Sequence, residues 1–204
     1  VRAATKIKKG ATNYVMAIKN VEQHGLLRWG AGFALAEATS TRGSDHLRGW
    51  PTVEFYKLSP EECEKLFGDR SASDPEIYKG KGRLVALFYE RTSAIADMMG
   101  VCKFYSLRQD SSYLTVHDYA DIFSALTGIK ADEAVFHKVA DRLITLERFF
   151  IVREGVRREH DYPSRRDFEK SLPSGSRKGA VLNREKYDRM LDEYYDAHGW
   201  DRDG

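Results

Sequence analysis

The stretch RLVALFYERTSAIADMMGVC, residues 83–102, decides the fold class of this chain. Leu84, Leu87, Phe88, Ile95 and Met99 recur at three- and four-residue steps, the period of a helix that turns one apolar stripe toward a core. Gly100 stands where a left-handed C-terminal cap belongs, so the spacing predicts a helix over 83–99. Glu90, Ala94 and Asp97 share a flank of that helix by the same spacing. Asp97 falls in the last turn, where a carboxylate opposes the helix dipole and costs a little stability unless it has a partner. Just past the cap comes Cys102, one of only two cysteines in the chain.

Working outward, three more helices are expected. One covers 116–126 and is closed by Thr127-Gly128. A second covers 131–152, with Val135, Val139, Leu143, Leu146 and Phe150 in one apolar stripe, and ends near Gly155. A third covers 184–197 and is amphipathic through Tyr187, Met190, Leu191, Tyr194 and Tyr195. Ser59-Pro60-Glu61-Glu62 carries the residues of a helix start inside an otherwise loop-like segment, 50–82. Gly30 and Gly32 are expected to loosen the backbone before a short helical stretch, 33–38. Residues 1–28 are mixed, and Tyr14 to Ile18 fits strand or helix. From 157 to 183 the chain is polar, carries Pro163 and Pro173, and reads as loop. Strand-like alternation is scarce, so the chain is expected to be mainly α. It divides into a partial helical and loop domain with a long insert, 1–82, and a helical domain, 83–204.

Composition excludes several classes. Hydrophobic residues make up 42% and charged residues 31% of the 204 positions, the balance of a globular chain rather than a disordered one. Thirty-three basic side chains face 31 acidic ones, a net charge of +2, so nothing global favours a polyanionic partner. Arg157, Arg158, Arg165, Arg166, Arg177 and Lys178 are interleaved with Glu154, Glu159, Asp161, Asp167 and Glu169. That pattern reads as a solvated loop, and no nucleic-acid partner is expected. No apolar run reaches the length of a membrane span and no signal-peptide pattern opens the chain, so no membrane partner is expected either. Two cysteines argue against a disulfide scaffold and fit a reducing compartment, which makes the cytoplasm the expected location. The chain opens at Val1 without an initiator Met, and is expected to be a piece of a longer protein.

The residues that could carry chemistry are few. No phosphate-binding glycine loop, H-E-x-x-H, C-x-x-C or G-x-S-x-G is present, and no two of the six histidines share a face at ligand spacing. Cys102 has three readings: a buried thiol filling a core, a nucleophile needing a histidine base, or a metal ligand needing further thiolates. Cys63 is the only other thiol, and two cysteines cannot complete the four-thiolate set of an iron–sulfur cluster. His46, in TRGSDHLRG, is either an exposed loop histidine or an acid–base group tuned by Asp45, Arg42 and Arg48. Local spacing leaves both open.

Six segments in order change the weight of these residues: ATSTRGSDHLR (38–48), DMMGVCKF (97–104), LTGIKADE (126–133), RLITLERFFIVREG (142–155), LPSGSRKGAVL (172–182) and LDEYYDAHGWD (191–201). Together they resemble the C-terminal part of the aldehyde ferredoxin oxidoreductase family, the tungsten–pterin enzymes, from about residue 29 to the end. The resemblance implies the helical C-terminal domains of a longer subunit, with the β-rich N-terminal domain absent here. It implies a tungsten (or molybdenum) bis-pyranopterin beside a 4Fe–4S cluster. Cys102 matches the fourth cluster cysteine, the other ligands lying outside this chain. Asp97 matches a pterin contact, with Gly100 and Val101 in the same motif bringing the backbone against the pterin. His46 matches a histidine that exchanges a proton near the metal. LPSGSRKGAVL looks like a segment near the substrate channel.

The implied activity is oxidation of an aldehyde substrate to a carboxylic acid. Electrons would leave to ferredoxin or an electron-transfer subunit, and the full-length form would be an oligomer; this portion alone is expected to be inactive. Two alternatives stand beside it. One is an aroyl-CoA reductase of the benzoyl-CoA type on the same scaffold, and the other a non-catalytic helical interaction domain. The chain departs from the family pattern in residues 1–28, in the missing upstream cluster cysteines and second pterin motif, and in a long insert at 49–80. Cys63 lies in that insert and matches no ligand position.

Overall fold

The computed structural model describes residues 2–8, 10–23, 27–56, 58–106 and 114–204; His24 lies outside them. The helices are α1 (Arg2–Ile7), α2 (Ala31–Thr39), α3 (Pro60–Phe67), α4 (Lys81–Leu84), α5 (Arg91–Met99), α6 (Val116–Thr127), α7 (Glu133–Arg153), α8 (Arg165–Glu169) and α9 (Arg184–His198). A two-residue-strand hairpin, β1 (Ala17–Ile18) and β2 (Val21–Glu22), is the one sheet among the described residues. The chain is mainly α. The Tyr14 to Ile18 run resolves into a 3-10 turn ending at Tyr14 and the first strand of that hairpin.

Three apolar clusters organise these elements. The first joins α2, the turn just after α4 and α9 through Ala34, Leu35, Val85, Tyr187, Leu191 and Tyr194, and draws on residues both before and after position 82. The second joins α5, α6 and α7 through Ala94, Ile95, Tyr119, Phe136, Ala140 and Ile144. The third, Val53, Cys63, Ala72, Leu84 and Tyr89, lies beneath the 49–80 insert. Trp200 packs against the first and second alike.

The helix expected over 83–99 begins at Lys81 and is widened at Val85–Glu90 into a π-helical turn. Its end follows the cap predicted from Gly100. Gly100 has φ of 67°, Val101 N–H donates to Ala96 O at 3.0 Å, and Gly100 N–H donates to Asp97 O at 3.2 Å. These paired bonds form a Schellman motif, and Val101 supplies its customary apolar contact by packing on the second cluster. The D-x-x-G-V spacing is therefore a helix stop in its own right.

Two expectations are corrected. On α7 the inward face is Phe136, Ala140, Ile144 and Arg148, about a third of a turn from the stripe read from the sequence. Leu146 is 67% and Phe150 58% exposed, with Val135 and Val139 also open. The helix is apolar on two faces, and periodicity cannot say which one meets a core. Replacing Ile144 by Ala should therefore cost about 2–5 kcal/mol, and Leu146→Ala within about 0.5 kcal/mol, in urea unfolding of this chain. The reverse order would restore the sequence assignment.

The second correction concerns Gly30 and Gly32. α2 runs from Ala31 and is wholly buried. Its first turn is capped by a carboxylate from the insert: Glu54 accepts from the N–H groups of Gly32 and Phe33, both at 2.9 Å. A Cβ on Gly30 would lie 2.3 Å from Glu54 Oε2. Glycine at 30 leaves room for that carboxylate rather than loosening the chain. Lys81 Nζ sits 3.1 Å from Glu54 Oε1, and both side chains are fully buried. The insert is thus tied into the core.

Candidate functional site

The residues singled out from the sequence gather where α2 hands the chain to the turn at 40–50 and where α5 ends. Asp97 occupies the last turn of α5, and its cost against the helix dipole is offset by two cations. Arg48 Nη1 lies 2.6 Å and Lys103 Nζ 2.8 Å from Asp97 Oδ2. Both meet the same oxygen, and Oδ1 accepts no hydrogen bond from the described residues. Lys103 also donates to Leu47 O at 2.9 Å. Its ammonium is pushed below the ordinary lysine range by burial, and Asp97 pulls it partly back. Arg48 reaches further, to Glu147 on α7, which also accepts from the Thr41 hydroxyl at 2.7 Å.

His46 is half-buried, not an open loop histidine. Its ring meets Trp50 edge-on at 4.9 Å and Phe33 at 6.0 Å. The charges expected to tune it are engaged with other groups. Arg42 pairs with Asp45, Asp45 accepts from Leu47 N–H at 2.8 Å, and Arg48 is committed to Asp97 and Glu147.

Cys102 follows the cap in extended backbone, begins a 3-10 turn at Lys103–Tyr105, and is exposed. Exposure disposes of the buried-filler reading. Cys63, by contrast, is fully buried in the third cluster. Exposed Phe104 and Tyr105 adjoin Cys102, and Met98 adjoins Asp97.

Arg48, Lys103, Glu147 and Thr41 complete a site that the sequence reading left partial. Their separations in sequence carry no signal. Only the six-residue step from Asp97 to Lys103, spanning a cap that folds the chain back, could have suggested a contact.

The donor set bears on what this site can hold. Among the described residues no group of three or more His, Cys, Asp or Glu is arranged to hold a metal ion. One exposed thiol can give one ligand to a cluster, and the open Asp97 oxygen can accept N–H groups of a heterocycle. The residues fit a pterin contact and a single cluster ligand, and no complete metal site. Among the described residues no helix is long and apolar enough to cross a membrane.

Comparison with known proteins bears on the whole chain. Residues 1–204 match the family described as aldehyde ferredoxin oxidoreductase, domains 2 and 3. The tungsten-containing aldehyde ferredoxin oxidoreductase of Pyrococcus horikoshii is 30% identical over 200 residues, 97% of this chain and 30% of that protein. The enzyme of the same name from Thermococcus kodakarensis is 29% identical over 198 residues, again 30% of its length. The chain thus spans about three-tenths of these relatives. A solved chain from the active-site complex of benzoyl-coenzyme A reductase with 1,5-dienoyl-CoA shares the fold, with a TM-score of 0.69 and 24% identity. That likeness covers 98% of this chain and 33% of the other.

Proposed function

The chain belongs to the aldehyde ferredoxin oxidoreductase family, and from that membership we propose that it forms the helical part of an enzyme oxidising aldehydes to carboxylic acids. The overall change is RCHO + H2O → RCOOH + 2 H+ + 2 e−. A tungsten (or molybdenum) bis-pyranopterin with a 4Fe–4S cluster supplies the redox chemistry when bound. The observation that carries the proposal is the placement of Asp97 and Cys102 on either side of one helix cap, one with an open carboxylate oxygen and the other with an exposed sulfur.

In this reading Asp97 Oδ1 accepts N–H groups of a pterin. Arg48 and Lys103 fix the carboxylate through its other oxygen. Gly100 and Val101, which close the cap, bring the backbone alongside. Cys102 gives one thiolate to the cluster, whose other ligands come from outside this chain, and electrons pass to ferredoxin or an electron-transfer subunit. His46, held by Trp50 and Phe33, takes up or releases a proton at a ring nitrogen. The site works in a water-soluble, cytoplasmic oligomer.

A second reading, reduction of an aroyl-CoA thioester, draws support from the shared fold with the benzoyl-CoA reductase complex. Assaying the full-length protein with benzaldehyde and with benzoyl-CoA, alongside tungsten, molybdenum and iron analysis, separates them. Benzaldehyde-dependent dye reduction is expected. Activity only with benzoyl-CoA would favour the second reading, and absence of all three metals would overturn both.

A further inference from the structure

The π-helical turn at Val85–Glu90 ends on a carboxylate that none of the roles above uses. A turn with one residue more than an α-helix re-aims the side chains around it by about 100°. Glu90, its last residue, is 5% exposed. The Tyr194 hydroxyl lies 3.0 Å from Oε1 and 3.1 Å from Oε2, and His198 Nε2 lies 3.0 Å from Oε2. His198 is itself fixed, stacked on Trp200 at 4.2 Å and edge-on to Tyr194 at 4.7 Å. Among the described residues His198 is the only side chain within ion-pair distance of Glu90.

The stem of Glu90 meets the site's turn at Gly49. A Cβ there would fall 2.7 Å from Glu90 Cγ. Gly49 joins Arg48, which holds Asp97, to Trp50, which faces His46. We propose that Glu90, clamped by Tyr194 and His198, is a positioning residue: its stem is the seat that sets the 46–50 turn, and so the placement of Arg48 and His46. A carboxylate this buried, met within ion-pair distance only by His198 among the described residues and more remotely by the Lys19 ammonium, is a poor source of stability. A seat for a site residue gives it a use. The inference rests on the proposed role of that turn.

The test compares Glu90→Ala, Glu90→Gln and Gly49→Ala in the full-length protein by aldehyde turnover and by amide exchange of residues 45–50. Glu90→Gln keeps the stem and hydrogen-bonding shape, and should stay within a few-fold of wild type in both. Glu90→Ala and Gly49→Ala should raise exchange in 45–50 relative to 133–153, and lower kcat on the order of tenfold to a hundredfold. Unchanged exchange in both of those variants would overturn the proposal, as would a loss in Glu90→Gln equal to that in Glu90→Ala, which would mark a chemical role for the charge. If wild type oxidises no aldehyde, the reaction assignment fails while the exchange comparison still decides the seat.

Discussion

Replacing Asp161 by Asn is expected to cost about 3–5 kcal/mol of folding stability, the penalty for leaving buried charges without their partner. Asp161 is fully buried and ties three elements together. Lys19 Nζ, at the tip of the hairpin, lies 2.6 Å from Oδ1, and Arg148 of α7 lies 2.8 Å from Oδ2. The Tyr195 hydroxyl of α9 donates to Oδ2 at 2.5 Å, and the Tyr187 hydroxyl to the backbone carbonyl at 3.1 Å. Lys19 also donates to Ala38 O in α2, and holds a left-handed φ of 48° in doing so. Burial pushes its ammonium down and Asp161 is the main group pulling it back. Asparagine keeps the shape and removes the charge, so two cations lose their counter-ion together. On a chain of this size the loss is on the order of 10 °C in Tm. A variant within about 0.5 kcal/mol of wild type, the range of an ordinary surface substitution, would show that the network contributes little.

Lys81→Met should be nearly as damaging at neutral pH, and its deficit should depend on pH. The substitution strands Glu54, whose carboxyl burial already pushes above its ordinary range while Lys81 and the two α2 N–H groups pull it down. Without Lys81 the folded-state value rises further. A carboxyl raised in the folded state holds its proton longer there than in the unfolded chain. That contribution is fully present below the unfolded value and is lost as pH rises through the folded one. Urea unfolding of wild type and Lys81→Met near pH 5 and pH 8 should therefore show the larger deficit at pH 8, about 3–5 kcal/mol. An equal deficit at both pH values would mean that Glu54 stays ionised without its lysine. Because Glu54 caps α2, whose last residues lead into the turn bearing His46, the same variant should also weaken the site.

Sequence reading went furthest where local chemistry fixes structure. The Gly100 stop, the Ser59 capping box and the Tyr187, Met190, Leu191, Tyr194 and Tyr195 face of α9 are set by residues a few positions apart. It failed where two answers share one local pattern. α7 presents apolar residues on two faces, and only its partners α5 and α6 choose between them. Glu90 and Asp97 share a flank of the helix, yet Glu90 is buried against α9 and Asp97 is exposed at the helix end, a difference that spacing alone does not carry.

The site followed the same division. Asp97 and Cys102 were legible because both belong to one cap motif. Arg48, Lys103 and Glu147, which hold Asp97 in place, come from three segments brought together only by folding. Glu54 was hidden because its role depends on reaching back to α2 from an insert that read as loop.

The central claim is that the cap at the end of α5 grips two cofactors, with Cys102 on iron. The most direct test is iron content and low-temperature EPR of the reduced full-length protein, compared between wild type, Cys102→Ala and Cys63→Ala. The account predicts a four-iron cluster signal in wild type and in Cys63→Ala, with iron and signal lost or converted to a smaller cluster in Cys102→Ala. A full iron complement with an unchanged signal in Cys102→Ala would contradict it.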